Sequence, residues 1–404
     1  MEGESKTKSA ANWEIVVAKE LEDIETIRPI WEEMQHNESC PTPNADIDRF
    51  LAVVEHQEST VQPCIILLKH YGRPRAMVIG RIEKLQIKCT IGYRALFNPS
   101  VCGISVVYGG ILGERTSDVY AAMIKKFVDM LARREVDVVM LNHIAKDSLI
   151  YKYATKMPGI FCRGHFPRSK FHWSMAIPKD VDLLYKSFTP KTRNTLRRKN
   201  RKLEKEFGDE LKIVTYSSRD DVPQAIRDVS RISQHTYQAG LGVRIVDDYH
   251  TREIMDVSAR HGWLRMSILY IKDEPCAFQL GLQYGQTYFL EQLGFCPKWS
   301  SWNVGTVLFN KVLEDLCRDS SVERFNFGFG DAQYKRSYGS ECWPEASVYI
   351  FAPGAYPLLV NALASSTAGL SLGIRYVLDR TSLTGWIKRK WRGLLRPKSS
   401  AESV

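Results

Sequence analysis

The chain has 404 residues, 44% of them apolar and 25% charged, with a formal net charge of +10. These values are ordinary for folded soluble protein, and they exclude a disordered chain, a collagen, a disulfide knot and a polytopic membrane protein. The positive charge is concentrated: Lys186–Lys205 holds nine basic residues and one acidic, Arg375–Lys398 holds eight and one, and the rest of the chain carries 39 basic against 44 acidic, so two short blocks point to anionic partners.

Length suggests two domains plus tails. Residues 1–12 read as disordered, with no apolar run of a signal peptide. Apolar spacing predicts a helix over Glu20–Met34, strands over Cys64–His70 and Ala76–Ile82 around a turn, and an irregular stretch before an apolar strand at Ile104–Leu112. A helix over Val119–Arg134 and a strand over Val136–Ile144 close this unit. Thr189-Pro190 caps a highly basic helix whose apolar seam is Leu196, Leu203 and Phe207, and another helix starts at Asp220-Asp221. The first order then repeats. Strands are predicted at Ser267–Lys272, Pro275–Tyr284 and Tyr288–Phe295, then a loop, a helix over Asn303–Arg318 and a strand over Val322–Phe329. Pro74, Ala76 and Gly80 match Pro275, Ala277 and Gly281 at a constant offset, which supports a duplicated unit. The boundaries expected are 13–178, 179–352 and a helical basic tail over 353–404. Within the tail, Ala352–Ile374 is uncharged and long enough to span a bilayer, but its prolines, glycines and polar residues make it read as helix and loop rather than a membrane span. Leu383–Leu395 sets Ile387, Trp391, Leu394 and Leu395 beside Lys and Arg, a pattern suited to an anionic membrane surface or to packing.

The nine cysteines include no C-x-x-C pair, and reduced thiols in a cytoplasm are expected. P-loop, zinc-hydrolase and nucleophile-elbow motifs are absent, Gly328-Phe-Gly330 and Gly240-Leu-Gly242 lack the third glycine of a dinucleotide fingerprint, and no histidine spacing suggests a metal. Two features carry chemistry. A strand runs through Pro297–Trp302 into a helix opening at Asn303, Val304, Gly305 and Thr306, where free backbone N–H groups suit a phosphate; a plain connection with a small packing residue is the alternative. Then Phe325-Asn-Phe-Gly-Phe-Gly330 ends in a polar cluster, Asp331, Tyr334, Lys335 and Arg336, at the carboxyl end of a strand. That cluster could equally just cover the sheet end.

The run Phe325-Asn-Phe-Gly-x-Gly330-Asp331-x-x-Tyr334-Lys335-Arg336 resembles the signature of the CelD-like acetyltransferases of the GNAT superfamily. The basic helix Thr192–Leu203, the hairpin Lys272–Phe278 and Val304-Gly305-Thr306-Val-Leu308 are similar to that family's pattern over about Leu183–Ser340. The family's Ser-Pro-Gly loop is replaced by Trp302-Asn-Val-Gly305. The first half resembles the paired folds of FemAB-type transferases. The resemblance implies an α/β (α+β) fold of tandem GNAT-like domains, with mixed sheets flanked by helices. It implies acetyl-CoA or another acyl-CoA as donor, no metal, and acyl transfer to an amine on a sugar, amino acid or envelope precursor. Backbone N–H groups near Leu293 and Phe295 would hold the donor, and those of Asn303–Thr306 its pyrophosphate. Glu291 or Asp331, if desolvated, would be the base, Tyr334 the acid, and Lys335 part of the catalytic cluster. Arg193, Arg197 and Arg198 are candidate contacts for an anionic ligand. The first copy has Ala145-Lys-Asp-Ser in place of the Tyr-Lys-Arg cluster, and is expected to be structural or half of the acceptor cleft. The rival readings are an aminoacyl-tRNA donor and a non-catalytic protein on an anionic surface. Little aromatic interleaving makes nucleic acid the weaker expectation. The expected place is cytoplasmic, peripheral at the inner membrane face.

Overall fold

A computed structural model describes residues 13–55, 60–92, 94–236 and 244–380. The expected disorder of residues 1–12, the Gly240-Leu-Gly242 motif and the amphipathic segment Leu383–Leu395 lie outside the described residues.

The first half contains β1 (Trp13–Ala18), α1 (Leu21–His36), α2 (Ile47–Glu55), β2 (Val61–His70), β3 (Arg73–Gln86), a small hairpin of β4 (Cys89–Ile91) and β5 (Arg94–Phe97), β6 (Ser100–Gly113), α3 (Ser117–Ala132), β7 (Val138–Ala145), α4 (Leu149–Lys156) and β8 (Ser169–Ala176). The second half contains α5 (Val181–Ser187), α6 (Pro190–Phe207), β9 (Leu211–Tyr216), α7 (Val222–Gln234), α8 (Tyr249–Arg260), β10 (Leu264–Ile271), β11 (Glu274–Tyr284), β12 (Thr287–Phe295), α9 (Val304–Arg318), β13 (Arg324–Phe329), α10 (Gln333–Tyr338), β14 (Glu341–Phe351) and α11 (Ala355–Arg380).

The repeated residues occupy equivalent places. Tyr71-Gly72 and Lys272-Asp273 each have positive φ at both positions, the geometry of a two-residue type I′ hairpin turn. Pro74 and Pro275 each directly precede a bulged residue, Arg75 and Cys276, near the hairpin turn, and Ala76 and Ala277 are fully buried. Gly80 and Gly281 each stand at a register shift against the next strand. Both halves also have one parallel strand pair, β6 with β7 and β12 with β13.

Alternation along the strands builds a core on each face. In the second half Leu269 and Ile271 pack with α9, while Met266, Ile268 and Phe278 pack with α7 and α8. In the first, Ile66 and Leu68 pack with α3, and Ile65 and Leu67 with α1 and α2.

The two halves share one 12-stranded sheet, in the order β1-β2-β3-β6-β7-β14-β8-β13-β12-β11-β10-β9. Its centre is an exchange: β8, from before residue 178, pairs with β13, and β14, from late in the chain, pairs with β7. Strand β14 does not stand out in the sequence because Pro344 sits inside it, and proline normally argues against a central strand. The helix-and-loop reading of Ala352–Ile374 is corrected: Ala355–Arg380 is one helix. Pro357 falls in its first turn, where a missing N–H costs nothing, and Gly369 lets it approach the Phe166 ring. By length and composition Ala355–Ile374 is long and apolar enough to cross a bilayer. Part of it is docked on the protein, with Val360 and Asn361 buried and Asn361 Nδ2 donating to the carbonyls of Phe161 and Arg163.

Candidate active site

The parallel ladder between β12 and β13 lasts for three pairs, Thr287–Arg324, Tyr288–Phe325 and Phe289–Asn326, and then stops. Beyond it the strands diverge around a cavity of about 730 Å³, lined by Phe289–Phe295 on one side and Asn326–Ala332 on the other. The register of β12 against β11 explains the divergence. Leu290 faces Gly281 while Gln292 faces Leu280, which leaves Glu291 as the extra residue of a β-bulge. Beyond the bulge, Cys296 N–H donates back to Cys276 of β11. Strand alternation therefore turns the N–H groups of Leu293 and Phe295 toward the open side.

The cavity lining reaches Pro297 and Ser300 in the turn that leads to the start of α9, while Asn303, Val304, Gly305 and Thr306 are not among the lining residues. Asn303 adopts a left-handed conformation there (φ 57°), and its carbonyl accepts from the N–H groups of Thr306 and Val307. The N–H groups of Val304 and Gly305 fall among those a helix cannot satisfy itself. A Cβ on Gly305 would lie 3.1 Å from the Phe295 ring, so glycine keeps this approach open.

Helix α6 forms as predicted, with the Thr189 hydroxyl accepting from Thr192 N–H and with Leu196 and Leu203 buried. Phe207 packs edge-on against Trp299 and Trp302. The cation this helix brings to α9 is one the sequence reading passed over: Lys199 Nζ reaches Thr306 Oγ1 at 3.5 Å. Burial, and then Arg198, hold its pKa below the usual lysine value. Of the three arginines expected to contact an anion, Arg197 lies over the Tyr185 ring and Arg198 is exposed. Arg193 is half-buried.

The carboxylates are placed differently from expectation. Asp331 lines the cavity but is exposed and hydrogen-bonded to Arg336, which holds its pKa below the usual range. The desolvation that would make it a base is absent. Glu291 is at the rim, 3.6 Å from Arg49 of α2. Lys335 is buried and donates to the carbonyls of Phe327, Gly328 and Phe329 at 2.6, 3.3 and 2.9 Å, so its main contact is with the end of β13. Burial, and then Lys170, push it down to about 8. Tyr334 lines the cavity with its ring against Phe309 and Phe327.

The first half supplies the far wall. Asn44, Tyr108 and His172 line the same cavity. His172 is not among the residues singled out from the sequence, because the β8–β13 pairing that brings it here leaves no local signal. A second cavity, of about 360 Å³, abuts this wall. It is lined by Lys88, His143, His165, Arg168 and Lys170, with no carboxylate among its lining residues. His143 stacks at 3.6 Å on Phe329, which lines the larger cavity. No cluster of metal-ligating side chains occurs among the described residues.

Residues 190–336, from the first residue of α6 into α10, match the family model described as Acetyltransferase (GNAT) domain. No curated protein matches the sequence. Among solved structures, the chain is similar to FemX, with a TM-score of 0.56 and 10% identity over 82% of this chain and 98% of that one. It is also similar to a tandem GNAT protein from the clavulanic acid biosynthesis pathway, with a TM-score of 0.51 and 12% identity over 85% of this chain and 99% of that one. The fold is thus the mixed α/β, tandem GNAT arrangement, and the segment 190–336 is similar to the acetyltransferase (GNAT) domain.

Proposed function

We propose that the protein transfers an acetyl or other acyl group from acyl-CoA to an amine. The observation that carries this reading is the opening between β12 and β13 beside the start of α9. The bulge at Glu291 turns the Leu293 and Phe295 N–H groups toward a thioester carbonyl, where fixed donors act on developing charge. The Val304 and Gly305 N–H groups, with Lys199 alongside, suit the pyrophosphate of CoA. Tyr334 stands in the same cavity as a proton donor for the departing thiolate. The acceptor would approach from the first-half side, and the basic second cavity favours an amine carried on an anionic molecule such as a phosphorylated sugar or envelope precursor.

The same cleft with an aminoacyl-tRNA donor is the second reading. It is favoured by the charge of α6, where Glu204 supplies the one ion pair formed by that helix among the described residues.

Gly305→Asp tests the donor site. A carboxylate at the start of α9 should weaken acetyl-CoA binding at least tenfold, about 1.4 kcal/mol, with little change in melting temperature. Gly305→Ala separates charge from crowding and should have the smaller effect. Equal acetyl-CoA affinity in wild type and Gly305→Asp, measured by calorimetry, would remove α9 from the donor site.

A further inference from the structure

The acceptor-side wall contains a buried polar cluster whose proton positions can be assigned. His172 is 1% exposed and stacks on Trp343 at 4.6 Å. Its Nε2 lies 2.8 Å from Asn326 Oδ1, and that oxygen also accepts from Gly328 N–H at 2.8 Å. A backbone N–H can only donate, so the shared atom is the amide oxygen, and Nε2 must carry a proton. Nδ1 is left as the atom that can gain or lose one. It faces the Tyr108 hydroxyl at 3.3 Å and Glu345 Oε2 at 3.2 Å. Glu345 is itself buried, and its other oxygen accepts from Trp343 Nε1 at 2.8 Å.

The cluster therefore has two self-consistent states. With His172 neutral, Nδ1 accepts from Tyr108; with His172 protonated, Nδ1 donates to Glu345. A base held by a carboxylate on one side and facing a hydroxyl on the other is the arrangement used for proton abstraction on unrelated folds. Tyr108 is the partly exposed member. Burial, and then Glu345, hold its phenol protonated well above neutral pH, so it conducts a proton rather than keeping a charge. The other titratable groups around it are Cys40 beside Tyr108, His143 with Nδ1 3.9 Å from Glu345, and Lys170 over the Phe329 ring at 5.3 Å. Burial and Lys170 push His143 down to about 4, so it stays neutral while His172 cycles.

We propose that Tyr108, His172 and Glu345 form the acid–base relay of the acceptor side, with Tyr108 the group that touches the amine. This rests on the acyl-transfer reading. The acceptor arrives as an ammonium ion. It passes one proton to the Tyr108 oxygen as the phenolic proton moves to His172 Nδ1, leaving a neutral amine, a neutral phenol and an imidazolium beside Glu345. The amine attacks the thioester carbonyl; the C–N bond forms and the C–S bond breaks. Tyr334 gives its phenolic proton to the CoA thiolate and takes the second nitrogen proton in its place, and His172 returns its proton to solvent.

Two measurements on the full chain test this. Nitrogen-15 NMR of labelled histidine across pH 5–9 should show a neutral His172 protonated at Nε2 and bare at Nδ1, with His172→Gln assigning the signals. Thiol release from acetyl-CoA is then followed with two amine probes: ethanolamine, charged at neutral pH, and hydroxylamine, largely neutral there. Tyr108→Phe should lower the ethanolamine rate at least tenfold and the hydroxylamine rate less than twofold. His172→Gln and Glu345→Gln should follow the same pattern, and Tyr108→Phe, being partly exposed, serves if the buried variants fail to fold. A neutral His172 protonated at Nδ1, or equal losses with the two amines, would overturn the relay. No thiol release by wild type with either amine would count against the acyl-transfer reading, and the NMR assignment alone would then decide the relay geometry.

Discussion

Gly281→Ala is expected to destabilise the protein by about 3 kcal/mol, the upper part of the range for overpacking a closed core. An added Cβ would overlap the ring and hydroxyl of Tyr288. Tyr288 is fully buried, stacked at 5.0 Å on Phe325 of β13, and its hydroxyl accepts from Gln279. The ring cannot retreat without disturbing the three-pair ladder at the root of the cleft. At the matching position of the first half, a Cβ on Gly80 would lie 3.1 Å from an Ile104 methyl and 3.3 Å from the Ser105 carbonyl. That is a milder crowding, so Gly80→Ala should cost less. Urea unfolding of both variants checks the order, and a Gly281→Ala protein as stable as wild type would show that this packing is looser than described.

Lys335→Met should also cost about 3 kcal/mol, because removing one partner leaves buried acceptors unsatisfied at roughly 1–3 kcal/mol each. The three carbonyls converge on Lys335 as the chain turns through Gly328 and Gly330, whose φ values are 68° and 100°. The variant carries a pH signature. Lys335 titrates at about 8 in the folded protein, below the roughly 10.4 of an unfolded lysine. Between those values the unfolded chain binds more protons, so this group makes stability rise with pH through that window. The stability gap between wild type and Lys335→Met should therefore widen from pH 8 to pH 10. A gap that stays constant would mean that the amine is not desolvated.

Much of the cleft between β12, β13 and α9 was legible in the sequence because its signals are local. The hairpin turns, the Thr189-Pro190 cap, the glycine at the start of α9 and the aromatic strand ending in Gly330 each depend on near neighbours, and each stands where the spacing placed it. The opposite wall, with Tyr108 and His172, was not legible, because it depends on pairing across long sequence distances. His172 meets Asn326 and Glu345 only through the exchange of β8 and β14, separations of 154 and 173 residues. Residue type alone also misassigned Asp331: its sequence place at the end of β13 suits a base, but Arg336, five residues on, holds it in solvent as an ion pair. Lys199 was one of many basic residues on α6, and only the packing of α6 on α9 distinguishes it.

What fills the opening between β12 and β13 is measured directly by calorimetric titration of the full-length protein with acetyl-CoA. It should be done before and after nuclease treatment, with a parallel titration of aminoacyl-tRNA. An acyl-CoA-dependent transferase should show saturable one-to-one binding of acetyl-CoA that nuclease leaves unchanged and that Gly305→Asp weakens at least tenfold. Saturable binding of aminoacyl-tRNA with no heat from acetyl-CoA would contradict the acyl-CoA reading.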